Sequence, residues 1–194
     1  MKRLVIWLIT VLSVVTLAAG CSKAADRPRA TSHQSTTART AHFPASFNKT
    51  WYGINADTKK LDQLTFAGNK LMSGDTTVLI HTVTNRTAAD KAILSGKRQV
   101  STTSEKNKRD HWAIYSSVTY KGQRWINLKG WYQSAGDGDF YRVGQETING
   151  KKTPVLFAAG GADVWTNQHF YTSKRLANQM KDHHFEDDRI QSNN

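Results

Sequence analysis

Two alternating stretches, Trp112 to Tyr120 and Gln123 to Tyr132, are separated by nothing but Lys121-Gly122. A two-residue link with glycine in second place suits a turn whose twist matches that of paired antiparallel strands, so the segment is predicted to be a β-hairpin. Phe140 to Thr147 and Thr153 to Ala158, on either side of Asn149-Gly150, predict a second hairpin. Upstream, Thr50 to Ile54 and Leu61 to Phe66 read as strands on either side of a turn at Asn55 to Lys60, and Val78 to Val83 is a β-branched run with the buried-strand pattern, carrying His81. Helical signals are few. Thr87 stands three residues before Asp90, as in a capping box, and Gly96 closes the short helix that follows. Ser173 can cap a C-terminal helix in which Leu176 and Met180 share a face beside Ala177. The predicted fold is mainly β: a small antiparallel sheet or partly closed β-barrel with one short helix and a C-terminal helix.

The chain has 194 residues and a single cysteine, Cys21, which excludes an internal disulfide, a Cys-x-x-Cys redox pair and a multi-cysteine zinc site. That cysteine follows a leader-like segment. Lys2 and Arg3 supply a positive start, Leu4 to Leu17 an apolar run, and Ala18-Ala19-Gly20 the small residues that a signal peptidase requires. The run is shorter than the roughly 20 residues a comfortable transmembrane helix needs. Leu17-Ala18-Ala19-Gly20-Cys21 resembles the lipobox of bacterial lipoproteins, with Ala18 where an aliphatic residue is usual and Leu17 one place earlier. The resemblance implies diacylglycerol on the Cys21 thiol, cleavage after Gly20 and attachment to the extracytoplasmic face of a cell membrane. Each buried methylene contributes about 0.8 kcal/mol, so two acyl chains hold a protein where one dissociates.

From these signals residues 1–20 are a lipoprotein signal peptide, and 21–42 a lipidated cysteine with a flexible basic tether carrying Lys23, Arg27, Arg29 and Arg39. Residues 43–185 are the β-rich extracytoplasmic domain and 186–194 a polar tail. Between the short helix and the first hairpin, Ser101 to Asp110 reads as an exposed basic loop. The segment Phe47-Asn48-Lys49-Thr50-Trp51-Tyr52 is similar to the opening Gly-x-Trp-Tyr strand of lipocalin-type barrels and of small secreted lipoproteins from lactic-acid bacteria, with Lys49 in the glycine position. That resemblance implies a β-barrel and no particular ligand.

Formal net charge is +12, and +10 once Lys2 and Arg3 leave with the leader. Such a charge favours polyanions through screened attraction. Nucleic acid is not expected, because the basic residues are dispersed, no diagnostic motif is present and the export signal points elsewhere.

Chemical signatures are sparse. His81, His111 and His169 are candidate bases, yet neither Gly-x-Ser-x-Gly nor His-Glu-x-x-His occurs, so no catalytic residue is assigned and the protein is read as non-enzymatic. Asp182-His183-His184 with Glu186, Asp187 and Asp188 has zinc-type donors, but adjacent side chains diverge and a polar tail is a poor cage. Asp137-Gly138-Asp139 offers too few oxygens for calcium and reads as a turn. No metal and no cofactor are therefore expected.

The binding signal lies on the first hairpin. A turn at Lys121-Gly122 puts Trp112, Ile114, Val118, Tyr120, Trp125 and Trp131 on one face, together with Ser116, Gln123, Asn127 and Lys129. Ala113, Tyr115, Ile126 and Leu128 take the other, and either face can supply the core. Trp112, Trp125, Asn127 and Trp131 are the candidate ligand-binding residues, for an anionic wall polymer, a sugar or a small apolar ligand. The expectation is a lipid-anchored surface domain that binds an envelope component or small ligand. The competing classes are a small wall-modifying enzyme and a structural envelope protein. A histidine and an acid lining one cleft favour the enzyme; solvent-facing Trp125 and Trp131 favour binding.

Overall fold

The computed structural model describes residues 31–32, 41–99 and 109–189. The leader, Cys21, most of the tether, residues 101–108 of the basic loop and the last residues of the tail lie outside the described residues.

Both hairpins form as the turn chemistry dictates. Strand β6 (Trp112–Tyr120) pairs with β7 (Gln123–Gly130) from Ala113↔Gly130 to Tyr120↔Gln123, and Lys121 and Gly122 both take positive φ, 47° and 78°. Strand β8 (Asp139–Ile148) pairs with β9 (Lys151–Gly160) across Asn149-Gly150, again both left-handed. Around them lie β1 (Thr31–Ser32), β2 (Thr50–Ile54), β3 (Leu61–Ala67), β4 (Lys70–Ser73), β5 (Thr76–His81) and β10 (Trp165–Phe170). The sheet runs β10-β9-β8-β7-β6-β5-β4-β3-β2, with β1 pairing β6 off that path. It is mixed, because β5 and β6 are parallel. A parallel pair requires a crossover, which residues 82–111 supply with a 3₁₀ turn (Val83–Asn85) and helix α1 (Ala88–Leu94). Thr87 and Asp90 make the expected capping box at the start of α1. Ser173 caps α2 (Lys174–Gln179), its hydroxyl accepting from the Leu176 N–H at 3.2 Å.

The sheet curls until its outer strands touch without closing into a barrel. Tyr52 and Tyr171 exchange two backbone hydrogen bonds of 2.7 Å, an isolated bridge between β2 and the residue after β10. Glycine is needed beside that seam: a Cβ on Gly53 would lie 2.7 Å from both the His169 carbonyl oxygen and Gln168 Nε2.

Curling buries both faces of the hairpin. Ala113, Tyr115, Ile126 and Leu128 face an inner core with Phe43, Phe47, Trp51, Phe66 and Leu156. Val118, Tyr120 and Trp125 face a second core with Phe140, Phe157, Tyr171, Ala177 and Phe185, over which α2 and the C-terminal segment lie. Val83 leaves the predicted strand for the 3₁₀ turn, and β4 and β10 are additional strands. Residues 186–189 do not fray: Thr166 and Arg189 bond backbone to backbone, and Asp187 and Asp188 are tied to the sheet by side-chain hydrogen bonds.

Candidate functional site

The four predicted ligand-binding residues are distributed over three environments. Asn127 is 4% exposed, and its amide donates to the Asp137 carbonyl at 2.7 Å. It holds the β7–β8 connection, where Gly138 has φ 77° and a Cβ would lie 2.3 Å from the Leu128 carbonyl oxygen. Trp131 is 2% exposed and packs edge-on against Trp112, with ring centroids 5.1 Å apart. His81 lies 4.0 Å from the Trp112 ring, and burial lowers its pKa, so it is neutral at pH 7. Trp125 belongs to the second core at 4% exposure. The aromatic face is therefore packed rather than open, because a curled sheet has something to cover on each side.

Helix α1 is fastened to the Trp112–Trp131 group through Asp90, whose side chain is fully buried. Its carboxylate accepts from Thr87 N–H and Thr87 Oγ1, each at 2.7 Å, from Tyr132 at 3.0 Å and from Arg109. Burial alone would raise the Asp90 pKa; the hydrogen bonds from Thr87 and Tyr132 overcome it and hold it at about 2. Arg86 donates to the Trp131 carbonyl. This group is a structural fastening, with a neighbouring cavity of about 170 Å³ between Trp112, Lys129, Asp139 and Tyr141.

A larger cavity, about 290 Å³, separates the distal part of the β6–β7 hairpin from the C-terminal segment. Tyr120, Lys121, Gln123 and Trp125 line one side and Glu186, Asp187, Asp188 and Arg189 the other. Gln123 Nε2 donates to Asp187 at 2.7 Å, as does Arg142 Nη2. Arg142 also stands 5.2 Å from the Trp125 ring and 3.9 Å from that of Phe157, and Arg189 lies between Tyr120 at 4.8 Å and Trp165 at 4.6 Å. Cations held against rings fix the orientation of both, at about 0.5–2 kcal/mol each. The indole N–H of Trp125 and Arg142 Nε are buried with no hydrogen-bond partner among the described residues. Rings, carboxylates, an amide and a guanidinium thus converge on one space.

On its far side Asp188 borders another cavity, of about 140 Å³. There it accepts from His169 Nε2 at 2.7 Å and from the Phe185 N–H at 2.8 Å, with His184 Nδ1 at 3.5 Å. Burial would raise its pKa, but the hydrogen bond and charge of His169 outweigh that and hold it below the ordinary carboxylate range. The His169 ring is wedged between Phe157 and Phe185, with centroids at 5.1 and 5.0 Å. The Thr166 hydroxyl on this cavity already accepts from Arg189 N–H, and the Tyr171 hydroxyl is buried without a partner among the described residues. Within the described residues no group of three or more His, Cys, Asp and Glu side chains is arranged to hold a metal ion.

Of the predicted residues, then, Trp125 reaches the larger cavity and Trp112 the smaller one. The opposing wall of the larger cavity, Glu186 to Arg189, stands out in the sequence only for zinc-type donors that are set aside, and not as a binding wall, because its position depends on long-range packing. Comparison with protein-family models, with curated proteins and with solved structures finds no match.

Proposed function

We propose that this protein is a lipid-anchored extracytoplasmic lipoprotein whose β-rich domain binds a small envelope-derived ligand, a sugar unit in particular, without catalysing a reaction. The anchoring half follows from the lipobox-like Leu17-Ala18-Ala19-Gly20-Cys21 and the apolar run before it. The binding half is carried by one observation: the 290 Å³ cavity between the β6–β7 hairpin and residues 186–189. Its size is near the lower end of small-ligand sites, roughly 300–1,000 Å³, and its walls combine ring surface with fixed hydrogen-bonding groups. A sugar presents the complementary mixture, an apolar ring face and a rim of hydroxyls. The unpartnered Trp125 N–H is a donor available to such a hydroxyl if the neighbouring packing yields slightly.

The test is tryptophan fluorescence and thermal stability of the protein against purified envelope glycans and their component sugars. Gln123→Ala removes a polar group of the cavity wall and Trp125→Phe an unpartnered donor, while most of the packing is kept, and each should weaken binding several-fold. Equal binding by both variants and wild type removes the ligand from this cavity. Anchoring is tested by fatty-acid labelling: Cys21→Ser must lose the label carried by wild type.

A second reading, a small hydrolytic enzyme, draws support from His169 and Asp188 lining one cavity. Against it stand the wedged imidazole and the occupied Thr166 hydroxyl. Turnover of a wall substrate that vanishes in His169→Gln, at unchanged stability, would move the assignment to this class.

A further inference from the structure

Exposed cations gather where the chain enters one end of the curled sheet. At this end Phe43 N–H donates to the Gly68 carbonyl in the β3–β4 turn at 2.8 Å, and the Asn48 side chain accepts from Gly68 N–H at 3.2 Å. Lys49 precedes β2 there, and Lys70 opens β4 opposite Ala67. Because Tyr52 bridges Tyr171, α2 with Lys174 and Arg175 begins beyond the same end of β2. Leu156 pairs with Phe170, so Lys151 and Lys152 at the start of β9 leave that ladder in the same direction. All six of these cations are exposed. The segments 41–49, 67–70, 149–152 and 172–175 at this end contain no Asp or Glu; the acids on this side are Glu146, near Lys152, and the Glu186–Asp188 segment facing the β6–β7 turn. The connections at the opposite end mix signs, carrying Asp57, Asp75, Asp137 and Asp163 together with Lys59 and Lys60.

We propose that the cationic end is a docking face for an anionic phospholipid bilayer, an inference that rests on the lipid-anchored reading. Phe43, near the start of the continuous described chain, is fastened at this end. Fully extended, twenty residues reach at most about 70 Å, so a lipidated Cys21 keeps the domain in constant encounter with head groups. Attraction is felt only within about 10 Å at 0.1 M salt, so an orienting charge must lie on the face that meets the surface. Six exposed cations at the entry end meet that condition, and they turn the opposite end outward, away from the bilayer.

The experiment uses the chain from residue 21 onward with Cys21→Ser, so that binding is read without the acyl chains. Cosedimentation is measured with vesicles of phosphatidylcholine alone and with phosphatidylglycerol added, at about 0.1 M salt. Lys174→Glu with Arg175→Glu, and separately Lys151→Glu with Lys152→Glu, should each lower partitioning onto the anionic vesicles about tenfold or more. Lys59→Glu with Lys60→Glu makes the same change of net charge at the other end and should cost no more than about threefold. Acids in the first turn of α2 favour the helix dipole, so that pair retains the fold, and its melting temperature verifies this. Equal loss in all three pairs, or equal binding of wild type to both vesicle types, overturns the proposal. So does loss of binding to a soluble anionic wall polymer in the end variants with vesicle binding intact. Absence of fatty-acid label on the full chain in cells refutes anchoring separately, whatever the vesicles show.

Discussion

Asp90 offers the sharpest test of the packing argument. Its carboxylate is fully buried, accepts from Thr87 twice, from Tyr132 and from Arg109, and has a pKa of about 2 against an ordinary value of 3.8. Since the folded pKa is depressed, its stabilisation is present above the unfolded pKa and is lost as pH falls through the folded one. At about 1.36 kcal/mol per unit, the shift contributes about 2 kcal/mol at neutral pH, nearly all of it gone by pH 2. Asp90→Asn keeps the shape but turns an acceptor into a donor facing Thr87 and Arg109, and should cost about 3 kcal/mol at pH 6. Urea unfolding of both proteins at pH 6 and near pH 2 measures this. The gap between wild type and variant should shrink by about 2 kcal/mol at the lower pH. An unchanged gap would refute the claim that an ionised Asp90 fastens α1 to the sheet.

Trp125→Ala should cost about 3–5 kcal/mol in urea unfolding, because it empties the second core beneath Arg142; a loss below 1 kcal/mol would mean the indole is not packed as described. Gly53→Ala drives a methyl to within 2.7 Å of the His169 carbonyl oxygen and should cost about 1–3 kcal/mol, read as a lowered melting temperature; a neutral result would show that the seam between β2 and β10 opens freely. Asp188→Asn removes the depressed carboxylate facing His169, so the variant's C-terminal segment should be cut faster than wild type's at neutral pH, a difference that narrows at pH 3 where wild type is itself weakened; equal protection in both proteins at neutral pH would count against the clamp.

Local chemistry accounts for what was legible. Lys121-Gly122 and Asn149-Gly150 each set a two-residue left-handed turn, which fixes the register of four long strands without help from the rest of the molecule. The Thr87–Asp90 box and the Ser173 cap are satisfied within one helical turn, so they too can be read locally. Less legible were β4, four residues with polar ends, and β10, whose Thr-Asn-Gln-His centre shows little alternation and whose register shifts between Thr166 and Gln168. Those strands are specified by their neighbours. The parallel β5–β6 pairing is of the same kind, since nothing in either strand declares its direction.

The binding residues were harder to read for a different reason. Period two separates Trp125 from Ile126 but does not say which of them meets water, and here neither does: Ile126 enters the inner core and Trp125 the outer one. When both faces of a hairpin are covered, its aromatic rings are committed first to packing, and ligand contact is left to gaps between the hairpin and whatever covers it. The cover in this chain is the polar segment ending at Arg189, held by Gln123, Arg142 and Thr166. A pattern that is correct about faces thus puts Tyr120, Gln123 and Trp125 on one wall of the cavity and leaves the other wall to a terminus whose composition alone gives it nothing to pack against. That division makes Asp187 the informative position, because it accepts from both the hairpin, through Gln123, and the neighbouring strand, through Arg142. Loosening it should enlarge the cavity before it unfolds the sheet.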